Sequence, residues 1–126
     1  MKNKNGIAEL QLKIIEAFKE REWGQFHSPK NLSMDIAVEA AEIMEHFLWI
    51  TEKESENLSS EKLAEVKDEV GDVFIALLTL ADKLGIDLLE AGCDKLEKLK
   101  EKYPVELCKG KNLKHAEYSK KRRLCS

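Results

Sequence analysis

Glu39, Glu42, Glu69 and Asp72 are the residues of this chain whose types and spacing point most directly to chemistry. They fall as Glu39-Ala40-Ala41-Glu42 and Glu69-Val70-Gly71-Asp72, two carboxylate pairs with members three residues apart. On a helix that spacing sets both side chains on one face. Both pairs are also equidistant from a point between Ser55 and Glu56, inside the polar segment 51–57. If that segment is a loop joining two antiparallel helices, Glu42 faces Glu69 and Glu39 faces Asp72. Adjacent helix axes lie about 8–10 Å apart, and three residues rise roughly 4.5 Å. Carboxylates gathered in so small a volume repel one another unless protonated or neutralised by a cation. Oxygen ligands favour a hard divalent ion, Mg²⁺ or Mn²⁺. A solvated acidic face would explain either pair alone in a chain with 24 acidic residues. The mirrored spacing and the apolar flanks argue against it for the two together.

A second group of functional side chains precedes them. The segment Trp23-Gly24-Gln25-Phe26-His27-Ser28-Pro29-Lys30-Asn31 carries aromatic, imidazole, amine and amide groups. Such groups can stack on a base, hydrogen-bond its edge and contact phosphate. Gly24 and Pro29 break a helix there, so the segment reads as a loop. The competing explanation is a loop pinned to the core by its aromatics.

The elements that must position these residues are helices. Ile7, Leu10, Ile14 and Phe18, with Ile15 and Ala17, predict a core-packing helix over residues 7–22. A second helix is expected over residues 33–50, with Ser33 as N-cap. Its buried stripe is Ala37, Ala41, Met44 and Leu48, widened by Val38 and Phe47; Asp35, Glu39, Glu42 and His46 form a separate polar stripe. A third helix spans residues 60–84 on Leu63, Val66, Val70, Val73, Leu77 and Ala81, and Gly85 ends it. Residues 70–81 are apolar nearly all round, which implies burial within the subunit or against a second one. Gly71 inside that helix is explained by a close contact or by tolerance. A fourth helix starts at Asp87-Leu88-Leu89-Glu90, lines Leu89, Cys93, Leu96 and Leu99 on one side, and stops near Tyr103 before Pro104. Cys93 reads as a small core residue, and Lys95 and Lys98 as solvent-facing.

Composition agrees with one all-α domain. The 126 residues are 43% hydrophobic and 36% charged, with 6 Gly and 2 Pro. The net charge of −3 gives no bulk attraction for nucleic acid, although Lys109, Lys111, Lys114, Lys120, Lys121, Arg122 and Arg123 cluster in the tail. No apolar run reaches membrane-spanning length and no signal-peptide core is present. Cys93, Cys108 and Cys125 have neither disulfide-framework nor zinc spacing, and a reducing cytoplasmic setting is expected. The expected domain covers residues 1–107, followed by a basic, partly disordered tail over 108–126.

Taken together, these residues resemble a known family. Glu39-x-x-Glu42 followed by Glu69-x-x-Asp72 is similar to the E-x-x-E…E-x-x-D signature of the all-α MazG-type nucleoside triphosphate pyrophosphohydrolases. Trp23 to Leu32 resembles the W-x-x-F-H-x-P-x-N-L segment of its dCTP pyrophosphatase-like branch, and Trp49 and Lys102-Tyr103-Pro104 also fit. The resemblance covers about residues 10–107. It implies a four-helix bundle-like subunit assembled as a dimer or a dimer of dimers. It also implies a Mg²⁺-dependent enzyme, with Mn²⁺ as a substitute, that converts (d)NTP to (d)NMP and pyrophosphate in dNTP pool house-cleaning. By position Glu39, Glu42, Glu69 and Asp72 are the metal ligands, and Glu42 is a candidate general base. Trp23, His27 and Trp49 form the base pocket, with Lys30 and Asn31 beside it, and Lys95 matches a phosphate-side lysine. Two positions depart from the pattern: Leu99 stands where relatives often have Asn, and Ala76 where the dCTP-selective branch can carry Tyr. Both bear on substrate preference. The alternative is a non-catalytic helical nucleotide-binding or protein-interaction module, which leaves the mirrored acids unexplained.

Overall fold

A computed structural model describes residues 6–112. Among them every regular element is helical: α1 (Gly6–Glu20), a 3-10 turn (Trp23–Phe26), α2 (Pro29–Glu45), α3 (Glu52–Ser55), α4 (Ser60–Leu84), α5 (Leu88–Lys102) and α6 (Val105–Cys108). They divide after Asp87 into two units, one holding α1 to α4 and the other α5 and α6. No helix among the described residues is long and apolar enough to cross a membrane.

In the first unit α4 is the central element, with α2 packed along it and α1 against it more briefly. Its later turns bury Ala76, Leu78, Thr79 and Ala81, and Ile14 of α1 and Leu32 of α2 complete the core. The alanines allow close approach of neighbouring helices. Thr79 satisfies its buried hydroxyl by donating to the Ile75 carbonyl at 2.7 Å. Gln11 reaches across from α1 and donates through Nε2 to the Leu78 carbonyl at 2.9 Å.

Helix ends follow capping chemistry. α4 has the expected bounds: Ser59 accepts from the Lys62 N–H at 3.1 Å, and Gly85 closes it in the left-handed region at φ 65°. There the Ile86 N–H donates to the Ala81 carbonyl at 2.8 Å, which satisfies a group the helix leaves free. α2 begins four residues before the expected Ser33. Ser28 is its N-cap, accepting from the Asn31 N–H at 3.1 Å, and Pro29 sits in the first turn. Proline lacks only an N–H that no helix start can use, so it initiates here where a break was expected. Ser33 instead donates to the Lys30 carbonyl at 2.7 Å. The segment 51–57, expected as a loop, contains α3. Thr51 and Glu54 build a reciprocal cap: the Glu54 N–H donates to Thr51 Oγ1 at 3.2 Å and the Thr51 N–H to Glu54 Oε2 at 2.7 Å.

The face of α2 differs from expectation. Ala37, Val38 and Ala41 are exposed, as are Met44 at 58% and Leu48 at 52%. The covered side carries Leu32, Ile36, Glu39, Glu42 and Ile43. Apolar residues occur on both sides of this helix, so periodicity alone does not choose between them; contact with α4 does. Along α4, Leu63 and Val70 are exposed as well. A side chain at Gly71 would meet nothing within 4 Å, so no close approach within the chain requires glycine there.

In the second unit, the stripe expected to line one side of the fourth helix, Leu89, Cys93, Leu96 and Leu99, is exposed along α5. Cys93 is therefore not a core residue of this chain. Pro104 follows α5 and starts α6, its carbonyl accepting from the Leu107 and Cys108 N–H groups, both at 3.0 Å. Of the tail expected from residue 108 onward, residues 113–126 lie outside the described residues.

Candidate metal and nucleotide site

α2 and α4 each present one carboxylate pair, and their packing brings the pairs together. One oxygen from each of Glu39, Glu42, Glu69 and Asp72 lies within 4.8 Å of the others. Oxygen ligands at about 2.0–2.6 Å from a common ion stand up to about 4–5 Å apart, so the cluster has the dimensions of one divalent cation's ligand shell. The helices run antiparallel. Glu39 feels the charge of Asp72, whereas His46, further along α2, meets Glu65 and Glu69, earlier along α4.

The electrostatics show what the cluster lacks. Burial, and then interaction with Glu42, Asp72 and Asp35, raises the Glu39 carboxyl from 4.5 to about 7. Interaction with Glu42 comes first among the causes that raise Glu69, followed by burial. Glu39 Oε2 is buried with no hydrogen-bond partner. Buried acceptors are nearly always paired. A cation among these acids would give that oxygen its partner and offset the mutual repulsion, so the residues present fit a divalent ion.

The aromatic segment forms its own structure beside α2. Phe18 of α1 packs against Trp23 at 5.6 Å between ring centroids and meets the His27 ring edge-on at 4.9 Å. Asn31 Nδ2 donates to the Phe26 carbonyl at 3.0 Å and fastens the 3-10 turn to α2. A hollow of about 510 Å³ is lined by Phe18, Gln25, His27, Thr79 and Asp82 among others. A smaller one of about 240 Å³ is lined by Phe26, His27, Asn31, Leu32 and Asp35. His27 borders both. Asp35, which lines the smaller hollow, lies one turn before Glu39 and acts on its charge.

Of the residues singled out from the sequence, the four acids come together, His27 and Asn31 line the hollows, and Trp23 packs on Phe18 without lining either. Lys30 is exposed in the first turn of α2. Trp49 follows α2 with 93% of its surface in solvent. Lys95 is exposed on α5, in the second unit. The spacing of Phe18 marks it only as core and does not reveal it as a partner of Trp23 and His27. Lys62 and Glu65 cluster with His46 next to Glu69 and are not among the residues expected at the site. A signal existed: His46 and Glu65 are equidistant from the same midpoint as the acids.

A sequence profile described as MazG-like matches residues 34–118. The chain belongs to the MazG-like family. Its acidic pairs and most of the helical frame fall inside the matched segment. Mouse dCTP pyrophosphatase 1 is 33% identical over 100 residues, covering 78% of this MazG-like chain and 59% of the mouse protein. Human dCTP pyrophosphatase 1 is 34% identical over the same length and coverage. This chain thus spans 59% of the length of the curated relatives it matches. The crystal structure of a pyrophosphatase from Archaeoglobus fulgidus superposes with a TM-score of 0.73 at 38% identity, covering 77% of this chain and 91% of that one. The all-helical architecture is thereby shared with a solved pyrophosphatase.

Proposed function

We propose that this MazG-like chain is a divalent-cation-dependent nucleoside triphosphate pyrophosphohydrolase that converts (d)NTP to (d)NMP and pyrophosphate. The observation that carries the reading is the cluster of Glu39, Glu42, Glu69 and Asp72, with its buried, unpaired Glu39 oxygen. The pyrophosphatase names of the relatives and of the superposed structure support the reaction class. The names of the mouse and human relatives support dCTP-like substrates, and dNTP pool house-cleaning is the role proposed with them.

The four acids hold Mg²⁺, with Mn²⁺ as a substitute. The ion supplies neutralisation of charge on the phosphate oxygens. Glu42, which interacts with both Glu39 and Glu69, takes the proton from the attacking water. The water oxygen bonds to the α-phosphorus, the bond from that phosphorus to the bridging oxygen breaks, and pyrophosphate leaves. Phe18 fixes Trp23 and His27, which receive the base, and Asn31 keeps their loop in place. Lys30, in the same unit as the acids, is a cation offered to the phosphates. Trp49, exposed after α2, is a further aromatic offered to the base. Self-association as a homodimer or homotetramer is supported by the exposed Met34, Val38 and Met44 of α2 and Leu63 and Val70 of α4. The free thiols Cys93 and Cys108 fit a reducing cytoplasmic setting.

The test is pyrophosphate release from a panel of dNTPs with and without Mg²⁺, run in heavy-oxygen water. Release that needs Mg²⁺, is fastest with dCTP, and places the label in the monophosphate is expected. Absence of pyrophosphate with every nucleotide refutes the enzyme; label in pyrophosphate refutes attack at the α-phosphorus.

A further inference from the structure

The polar stripe of α2 ends at His46, which the proposed reaction leaves unused. Its side chain is 17% exposed and lies between α2 and α4. Nε2 is 3.6 Å from Glu69 Oε1, a contact slightly longer than a formed hydrogen bond. Nδ1 is 3.5 Å from Glu65 Oε2 and 3.4 Å from Lys62 Nζ. Lys62 also donates to Glu65 Oε2 at 2.9 Å. An ammonium group has donors and no acceptor. The Nδ1 beside it therefore accepts, and the ring proton belongs on Nε2, facing Glu69. Glu65 holds the Lys62 ammonium beside Nδ1.

We infer that His46 is a positioning residue for Glu69: its Nε2–H orients the Glu69 carboxylate toward the acidic cluster, and the Lys62–Glu65 pair sets the tautomer that makes this possible. The inference rests on the reading of Glu69 as a metal ligand. A carboxylate on a rotatable side chain needs an outer partner if it is to meet an ion in one orientation. A competing role follows from position, since His46 is the C-cap of α2 and an imidazolium there would suit the helix dipole. The two roles separate chemically. Orientation of Glu69 needs a donor where Nε2 stands; the dipole needs only positive charge.

Three variants of the full chain distinguish them. His46→Gln places an amide nitrogen near the Nε2 position, His46→Asn places it near Nδ1, and His46→Leu removes it. Mn²⁺ binding is measured by calorimetry and by electron paramagnetic resonance, with thermal unfolding of the metal-free variants alongside. The Gln variant is expected to bind Mn²⁺ within about threefold of the unaltered chain, and the Asn and Leu variants about 10–100-fold more weakly with altered spectra. Similar metal-free unfolding midpoints are expected for Gln and Asn. If the Leu variant fails to fold, the Gln and Asn pair carries the comparison. Unaltered affinity in the Asn variant, or equal weakening in Gln and Asn, overturns the assignment. An unaltered chain that binds no Mn²⁺ overturns the metal reading and this inference together; binding that ignores residue 46 overturns this inference alone.

Discussion

Glu39 governs how the metal-free protein responds to pH. Its carboxyl is raised from 4.5 to about 7, so the folded chain keeps a proton that the unfolded chain has released across that window. Stability from this group is therefore fullest below pH 4.5 and is lost as pH rises to about 7. Glu69 is shifted the same way and adds to the trend. The unfolding midpoint of the metal-free protein should fall over this range, and Glu39→Gln should flatten the fall. At neutral pH that variant should unfold at a higher temperature than the unaltered chain, yet lose turnover by about 100-fold or more, since the residue that strains the fold is the one proposed to serve the reaction. Thermal scans of chelated protein and a pyrophosphate assay check the two halves. Cation affinity should rise with pH through the same window, because the ion displaces the Glu39 proton. For the nucleotide, base stacking is worth about 1–3 kcal/mol. Trp23→Ala should accordingly raise KM by about 10–100-fold, with kcat changed far less, in steady-state assays.

At the scale of elements, the site depends on the register of α2 against α4 and on the turn before α2. Ser28 starts α2, and Asn31 ties that start to the 3-10 turn carrying Trp23. Ser28→Ala should cost about 1 kcal/mol of stability and raise KM, which denaturant titration and kinetics measure separately. Much of this frame was readable beforehand. The α4 bounds follow from its apolar spacing and Gly85, and the antiparallel register follows from the mirrored acids. The start of α2 was not readable, because Ser28 and Ser33 are both competent caps and Pro29 can stop or start a helix. Nor was its buried face, because Met44 and Val38 on one side are as apolar as Ile36 and Ile43 on the other. α3 is too short for periodicity, although Thr51-x-x-Glu54 spells its cap. Among the site residues, the acids were legible through their symmetry. Phe18 was hidden inside a core pattern, and the contacts of His46 with Lys62 and Glu65 needed the packed helices.

At the scale of the molecule, an ion held by the acidic cluster would couple its binding to folding. Ion at about 100 times its dissociation constant adds about 2.7 kcal/mol to the folded state. That corresponds to a rise in midpoint on the order of 10 °C for a chain of this size. Mg²⁺ or Mn²⁺ titration in thermal scans should show it, and Glu39→Gln should blunt it. Self-association has a similar test. Replacing Met44, which is exposed on α2, with Lys should shift the chain to a smaller species in sedimentation if that face is an interface.

The exposure of Trp49 has an optical consequence. The chain has two tryptophans. Trp23 is packed on Phe18, while the Trp49 indole is almost wholly hydrated. A dispersed chain should therefore emit with a strong long-wavelength component that iodide quenches readily. Concentrating the protein or adding nucleotide should shift that emission toward the blue and shield it from quencher, and Trp49→Phe should abolish the change.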